Sequence, residues 1–139
     1  MKEDVGVRGA GPATRRHQPD IGIAFDVCPV ADVPGNEQDQ QVGRFDGGLC
    51  LSIMDGRTIS CTRLLSSLEG LAADRGLKVQ QTVSPRGGTD ASAEQLAASG
   101  SRAITLSPPV RYIHTTCERL RERDLETGVV LSQALLESI

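Results

Sequence analysis

Short apolar runs alternate with helical patterns along this chain, and this alternation limits the possible folds more than any other feature. The run Ile21–Phe25 is apolar throughout, follows Pro19 and ends at Asp26, which is typical of a strand buried in a parallel sheet. After it, residues 29–48 are rich in Pro, Gly, Asn, Asp and Gln and are predicted to be a long loop, functional or disordered. Further strands are predicted at residues 49–54, 77–83 and 103–106. Strands separated by helices indicate an α/β fold with a mostly parallel sheet.

Three helices are predicted from end signals and apolar spacing. The first covers residues 61–75 with Ser60 as its N-cap, and the second covers residues 91–99 with Asp90 as its N-cap. The last helix is predicted to have Asp124 as its cap. Apolar residues recur at helical spacing in two of these helices: Leu64, Leu65, Leu68 and Leu71 in the first, and Leu125, Val129, Leu136 and Ile139 in the last.

The composition limits what such a domain binds. A chain of 139 residues fits one domain, and a net charge of −3 gives no basic surface for nucleic acid. No apolar run approaches the ~20 residues that cross a membrane, and the first residues lack the apolar segment of a signal peptide. The four cysteines have neither CxxC nor zinc-finger spacing, which favours reduced thiols. We therefore expect a cytoplasmic protein with no nucleic-acid or membrane partner.

Acidic residues at two places are candidates for metal binding or proton transfer. The side chains of Glu3 and Asp4 would point in different directions on an extended chain, so one can bind a metal while the other acts as general base. The alternative is a solvated, charged segment. Asp26 follows an apolar strand, where a carboxylate is costly to bury unless it is paired or metal-bound. The alternative is a cap or turn residue just outside the core.

A histidine and a glycine pair are the other candidates. His114 follows a stiff loop at Ser107–Pro109 and a short apolar segment, and it is either a metal ligand or base or a hydrogen-bonded structural residue. Gly87 and Gly88 precede Thr89 and a predicted helix. Such a pair lets the backbone approach a substrate or an anion, or it forms an ordinary tight turn.

The order and spacing of these motifs are more specific than any one of them. They are residues 3–10 (EDVGVRGA), Pro19 and Asp20 before the strand ending at Asp26, residues 32–35 (DVPG), 54–56 (MDG), 87–91 (GGTDA) and 111–114 (RYIH). Over nearly the whole chain this pattern resembles the C-terminal part of the dinuclear-metal aminopeptidases, also known as tetrahedral, glutamyl or deblocking aminopeptidases or as cellulase M.

The resemblance implies a role for each candidate residue. Glu3 would be the general base, Asp4 and His114 would share one metal, and Asp26 would bind the other. The substrate would lie beside the segment Gly87, Gly88 and Thr89. The family usually has glutamate where this chain has Asp4, which shortens that ligand by ~1.5 Å, one carbon–carbon bond. The implied cofactor is a pair of divalent ions, with zinc, cobalt or manganese suited to carboxylate and imidazole ligands.

The resemblance also implies an architecture and an activity. We expect a three-layer α/β sandwich in which residues 1–139 form the C-terminal part of a metallo-aminopeptidase catalytic domain, without its N-terminal part and its inserted β-rich domain. A further histidine and a bridging aspartate would come from preceding sequence, and His17, in a polar linker, does not match that histidine. The expected function is metal-dependent removal of N-terminal residues from peptides, in a family of homo-oligomers. The alternatives are a catalytically inert fragment and an accessory subunit of a full-length homologue.

Overall fold

The computed structural model describes residues 3–36, 41–97 and 99–139. Residues 37–40 of the predicted loop and residue 98 of a predicted helix lie outside this range, as do the first two residues. The strands are β1 (Ile21–Phe25), β2 (Cys28–Pro29), β3 (Leu49–Met54), β4 (Val79–Val83), β5 (Arg102–Ser107), β6 (Pro109–Arg111) and β7 (Arg119–Leu120). The helices are α1 (Ala10–His17), α2 (Thr62–Asp74), α3 (Ala91–Gln95) and α4 (Glu122–Ser138).

A four-stranded sheet with the order β1-β5-β3-β4 organises the molecule. β1 pairs with β5 and β3 pairs with β4 in parallel, whereas β3 and β5 run antiparallel at the centre. The α/β class with a mostly parallel sheet is therefore confirmed. A second, three-stranded sheet with the order β2-β6-β7 lies beside it.

Helices cover both faces of the larger sheet, which gives the expected three layers. α2 and α4 pack together; α2 contacts β3 and β5, and α4 contacts β3. On the other side, α3 contacts β1 and β5 and is itself contacted by α1. The main core is aliphatic: buried leucines of α2 and α4 meet Leu49, Leu51, Ile104 and Leu106. These strand residues alternate with small or polar ones such as Cys50 and Ser52, which face the opposite side of the sheet because strand side chains alternate.

The apolar face predicted for the last helix is wrong. Leu125, Val129, Leu136 and Ile139 are exposed, and α4 instead buries Thr127, Gly128, Leu131, Ala134 and Leu135. A Cβ at Gly128 would lie 3.1 Å from a methyl carbon of Leu49, so the helix approaches the sheet on the side where its residues are small. The helix begins at Glu122, which places Asp124 in its first turn and not at its cap.

Several other boundaries differ from the sequence predictions. The N-cap of α2 is Cys61, without a side-chain hydrogen bond, so Ser60 is not the cap. Asp90 does occupy the N-cap of α3, but its side chain makes no capping bond, and the helix ends at Gln95. Residues 15–17, predicted to lie in a polar linker, form the last part of α1. No helix in the described ranges is long and apolar enough to cross a membrane.

Candidate active site

One cavity of about 540 Å³ is lined by all seven predicted site residues. Its lining includes the acid pair Glu3 and Asp4, the strand-end Asp26, and His114. Gly87, Gly88 and Thr89 line the same cavity. Residues more than a hundred positions apart in the sequence therefore meet at one side of the larger sheet.

A compact turn brings the acid pair to the cavity. The backbone amides of Gly6 and Val7 both donate to the carbonyl oxygen of Glu3, each at 2.9 Å. Gly6 and Val7 have φ angles of 102° and 48°, a left-handed region that glycine adopts at little cost and valine rarely adopts. The segment is thus a turn and not the extended chain that the sequence suggested, and α1 follows it directly.

Asp26 is held at the end of β1 by its own backbone surroundings. Its amide donates to the carbonyl of Leu106 at 3.2 Å, which continues the pairing of β1 with β5. One oxygen of its carboxylate accepts a hydrogen bond from the amide of Val27 at 2.7 Å. The other carboxylate oxygen has no hydrogen bond among the described residues. The carboxylate is therefore oriented at the strand end, where ligands bind in open α/β sheets.

The loop that carries His114 has an unusual backbone. Tyr112 and His114 have φ angles of 60° and 63°, and such left-handed non-glycine residues cluster at functional sites. The amide of His114 donates to a carboxylate oxygen of Glu118 at 2.5 Å, and the Thr115 hydroxyl donates to the carbonyl of Tyr112 at 2.6 Å. These bonds hold the turn that presents the histidine to the cavity.

An ion pair anchors the strand before this loop. Arg111, the last residue of β6, donates from Nε to Asp32 at 2.6 Å, and its guanidinium lies 4.2 Å from the ring centroid of Phe45. The second oxygen of Asp32 accepts a bond from the amide of Phe45 at 3.0 Å. The hydrogen bond from Arg111 is the main reason that the pKa of Asp32 falls below its ordinary value of 3.8. The arginine of the RYIH motif and the aspartate of the DVPG motif thus have a structural role.

We expect this ion pair to make stability depend on pH in a defined direction. Folding lowers the pKa of Asp32. The ion pair therefore stabilises the fold fully above the ordinary pKa of 3.8, and this stabilisation is lost as the pH falls through the lower pKa of the folded state. The excess stability of the wild type over Asp32→Asn should therefore shrink as the pH falls below about 4. Urea unfolding between neutral and acidic pH measures it, with Asp74→Asn, an exposed aspartate of α2, as the control. An unchanged difference across that range would contradict the assignment.

The cavity lining has more acidic than basic side chains, since Glu3, Asp4, Asp26 and Asp55 line it together with Arg57 and Arg86. The pKa of Glu3 is raised mainly by burial, and next by the charges of Asp26, Asp4 and Asp90. Burial is also the main reason that the pKa of Asp26 is raised, with Asp90 and Asp4 adding to it, while the Val27 amide and His114 act in the opposite direction. Carboxylates that destabilise one another's charged forms favour a bound cation.

Asp90 is a residue that sequence reasoning assigned to a cap only. One of its carboxylate oxygens is buried without a hydrogen-bond partner among the described residues, and its charge raises the pKa of Glu3, Asp26 and Glu94. In the sequence, its position directly after the glycine pair and Thr89 was the feature that indicated a place near the site. The Thr89 hydroxyl itself lies 2.7 Å from the hydroxyl of Thr105 on β5.

The two glycine motifs pack against each other. Gly87 has a φ of 83°, and a Cβ at Gly88 would lie 2.7 Å from the side chain of Arg57. A Cβ at Gly56 would lie 2.5 Å from the carbonyl oxygen of Gly87. Any larger residue at Gly56 or Gly88 would thus force a neighbour to move, which explains why both motifs contain glycine beside the cavity.

The donor types suit divalent cations, although the donors are not converged. Asp4, Asp26 and His114 offer carboxylate oxygen and imidazole nitrogen, which zinc and its neighbours accept, and the excess negative charge favours a cation. Within residues 3–36, 41–97 and 99–139, no three His, Cys, Asp or Glu side chains stand close enough to hold one ion. The cavity therefore contains suitable ligands without a complete set.

The sequence matches, over residues 1–131, the family model described as M42 glutamyl aminopeptidase. A putative aminopeptidase of Acetivibrio thermocellus is 32% identical over 139 residues, which are 100% of this chain and 41% of that protein. A lysyl aminopeptidase of Pyrococcus furiosus is 32% identical over 140 residues, covering 100% of this chain and 39% of that protein. The chain thus spans about two fifths of the length of these curated relatives.

Solved structures resemble the fold over the same extent. An aminopeptidase from the archaeon Desulfurococcus kamchatkensis superposes with a TM-score of 0.94 at 32% identity, covering 98% of this chain and 39% of that one. A TET aminopeptidase from a marine-sediment thaumarchaeote gives a TM-score of 0.95 at 25% identity, covering 100% of this chain and 39% of that one.

Proposed function

The chain belongs to the M42 glutamyl aminopeptidase family, and on this basis we propose that it supplies the general base and several metal ligands for hydrolysis of peptides from the N-terminus. One observation carries the proposal: the cavity is lined by Glu3, Asp4, Asp26 and His114 together. These are the four positions to which the resemblance assigns chemistry. The activity is proposed for the protein in which this segment works, since the chain spans about two fifths of its relatives.

In the proposed centre, Asp4 and His114 hold one divalent cation and Asp26 holds the other. Zinc, cobalt and manganese suit this mixture of carboxylate and imidazole. The resemblance assigns the centre a further histidine and a bridging aspartate, and no residue of this chain matches them by motif. We therefore propose a partial ligand set whose affinity for metal is modest until the other two ligands are present.

Glu3 carries the proton in the proposed reaction. When bound, the two cations supply Lewis acidity that polarises the peptide carbonyl and makes the attacking water more acidic. The Glu3 carboxylate accepts the proton from that water and delivers it to the leaving amine. Burial and the neighbouring carboxylates raise the pKa of Glu3, which makes it a better proton acceptor than an exposed glutamate. The backbone at Gly87 and Gly88 borders the space that the peptide would occupy.

Homo-oligomeric assembly and a cytoplasmic location are part of the proposal. Two related structures of 30% identity are described as a dodecamer and as a TET1 peptidase of Pyrococcus horikoshii that assembles into a tetrahedron or a large octahedral shell. We propose similar self-association for the protein that contains this segment. The reduced state of all four cysteines is compatible with the cytoplasm.

The second candidate is a catalytically inert chain or an accessory subunit of a longer homologue. The observation in its favour is that the described side chains include no converged group of three metal ligands. Metal content and hydrolysis of aminoacyl anilides separate the two candidates. Chelator-sensitive hydrolysis by the purified chain supports the enzyme, whereas its absence at saturating metal supports the inert form.

Metal affinity provides a test that needs no activity. We expect His114→Ala to weaken binding of zinc or cobalt by at least about tenfold, because it removes an imidazole ligand. His17→Ala removes the other histidine of the chain, which lies on α1 outside the cavity lining, and should leave the affinity unchanged. Isothermal titration calorimetry on the purified chain measures both. Equal affinities for wild type and His114→Ala would remove His114 from the metal centre.

A further inference from the structure

A second cavity, of about 470 Å³, borders β6 and β7 and is not used by the proposed reaction. We call it the arginine pocket, and its lining consists of Phe45, Arg111, Glu118, Arg119, Leu120 and Arg121. Three arginines and one glutamate give this lining a charge of +2, in a chain whose net charge is −3. A concave surface with an excess of one sign of charge attracts ligands of the opposite sign.

The strand register places the three arginines on one face of the smaller sheet. Arg111 of β6 lies directly opposite Arg119 of β7 in an antiparallel pair, and residues in such a pair point to the same side. Arg121 follows two residues later with an extended backbone, φ −95° and ψ 125°, and therefore points to that side as well. Like charges that face each other across a sheet are destabilising, and an anion bound between them would relieve this repulsion.

An aromatic ring holds two of the guanidinium groups. The guanidinium carbon of Arg111 lies 4.2 Å from the ring centroid of Phe45, and that of Arg121 lies 5.6 Å from the same centroid. Stacking on a ring is favourable for an arginine and uses the face of its guanidinium. The N–H groups point outward in the plane of the guanidinium, so they remain available as donors to a ligand.

The acidic neighbours leave much of this donor capacity unused. Asp32 accepts a hydrogen bond from Nε of Arg111, while Asp46 is 3.7 Å from Nη2 of Arg121, which is too far for a hydrogen bond. Arg119 is exposed and makes no ion pair among the described residues. Because each guanidinium has five N–H donors in a fixed fork, all three arginines retain donors for a ligand.

We propose that the arginine pocket binds a diphosphate anion. Guanidinium forks match the oxygens of phosphate groups in pairs, and several arginines can share one multiply charged anion. A single carboxylate is less suited, because Asp32 and Asp46 already offer carboxylates to two of the three arginines. The pocket has no lining residue in common with the cavity of the candidate active site. Binding therefore requires neither the proposed metals nor peptide hydrolysis.

The test is isothermal titration calorimetry of the purified chain with inorganic diphosphate. The chain is first treated with a chelator and dialysed into a phosphate-free buffer of low ionic strength, so that no bound metal holds the anion. We expect saturable binding that weakens as salt is added, because salt screens exposed charges. Succinate, a dicarboxylate, should bind at least about tenfold more weakly than diphosphate, because it offers the arginines less charge and fewer oxygens.

Variants of the exposed arginines locate the site. Arg119→Ala and Arg121→Ala should each weaken diphosphate binding by roughly tenfold or more, as expected for the loss of hydrogen bonds to a charged group. Arg119→Lys should also bind more weakly than the wild type, because it keeps the charge but loses the planar fork. Arg63→Ala is the matched control, since it removes an exposed arginine of α2 outside the pocket, and it should bind as the wild type does.

Arg57→Ala tests the competing location, because Arg57 lines the cavity of the candidate active site, and we expect it to bind diphosphate as the wild type does. The proposal is overturned if the wild type shows no saturable binding, if succinate binds as tightly as diphosphate, or if Arg57→Ala or Arg63→Ala weakens binding as much as Arg119→Ala. Circular dichroism checks that each variant is folded. The wild-type comparison of diphosphate with succinate decides the matter even if a variant fails to fold.

Discussion

The Glu3→Gln substitution is expected to slow hydrolysis of aminoacyl anilides by roughly 10²–10⁴-fold, the usual contribution of a general base. The amide of glutamine has almost the same shape as the carboxylate, but it cannot accept the proton of the attacking water. Because Glu3 is proposed as base and not as ligand, the loss should appear in kcat, while metal affinity should change by only a few-fold. Steady-state kinetics and calorimetry on the same metal-loaded preparation of the protein in which this segment works measure the two effects.

Glu126→Gln is the matched control for this substitution. Glu126 is an exposed residue of α4 outside the cavity lining, so its replacement removes the same charge at a distance from the site. We expect kcat to stay within a factor of about two of the wild type, since surface substitutions away from special features have small effects. If Glu3→Gln retains the activity of Glu126→Gln, the base is another residue, and Asp55, which lines the cavity, and Asp90, whose charge acts on Glu3, become the candidates.

The sequence predicted well those parts of the fold in which apolar residues form a continuous run or recur on one face of a helix. The strand Ile21–Phe25 is apolar along its whole length and ends at an acid, and the structure has the same five residues in β1. The leucines of α2 recur on one face, and that face is buried against the sheet. In such segments local preference and tertiary packing agree, so the pattern is sufficient.

Other elements depend on tertiary contacts that the sequence does not reveal. β2 and β7 have two residues each, which is too short for any periodicity. α1 contains Pro12 and two consecutive arginines at positions 15 and 16, and it lies against α3. The formation of α1 therefore depends more on its surroundings than on its own apolar pattern. α4 has exposed apolar residues at helical spacing in addition to its buried ones, so spacing alone cannot tell which face is inside.

The candidate site also has features that the sequence predicts and features that depend on tertiary contacts. The motifs predicted seven site residues, and all seven line one cavity. The effect of the Asp90 charge on the pKa of Glu3 and Asp26 was not predicted, because a carboxylate before a helix is normally a cap. The Asp90 side chain makes no capping bond, and only the side-chain geometry of the folded chain reveals this. The position of Cys28 in the cavity lining likewise depends on the pairing of β2 with β6, which brings together residues about eighty positions apart.

Two leucine-to-alanine substitutions compare how much the buried core and the exposed face of α4 contribute to stability. We expect Leu106→Ala to lower the free energy of unfolding by about 2–5 kcal/mol, the range for a large-to-small change in a packed core. Leu106 is 0% exposed on β5, lies directly opposite Leu51 of β3, and contacts the leucine cluster shared with α2 and α4. Its loss leaves a cavity between elements that cannot move together without breaking the sheet. Urea unfolding followed by circular dichroism measures the change.

Leu136→Ala makes the same chemical change at a position that is 68% exposed, and its effect should stay within about 0.5 kcal/mol. The difference between the two variants isolates burial from helix or strand preference, because each loses the same atoms. If both variants lose several kcal/mol, the exposed face of α4 is covered in solution, as self-association of this chain would cover it. The concentration dependence of unfolding would then reveal that association, since a dimer unfolds at a midpoint that rises with protein concentration. A small loss for Leu106→Ala would instead contradict the leucine core on which the position of the cavity depends.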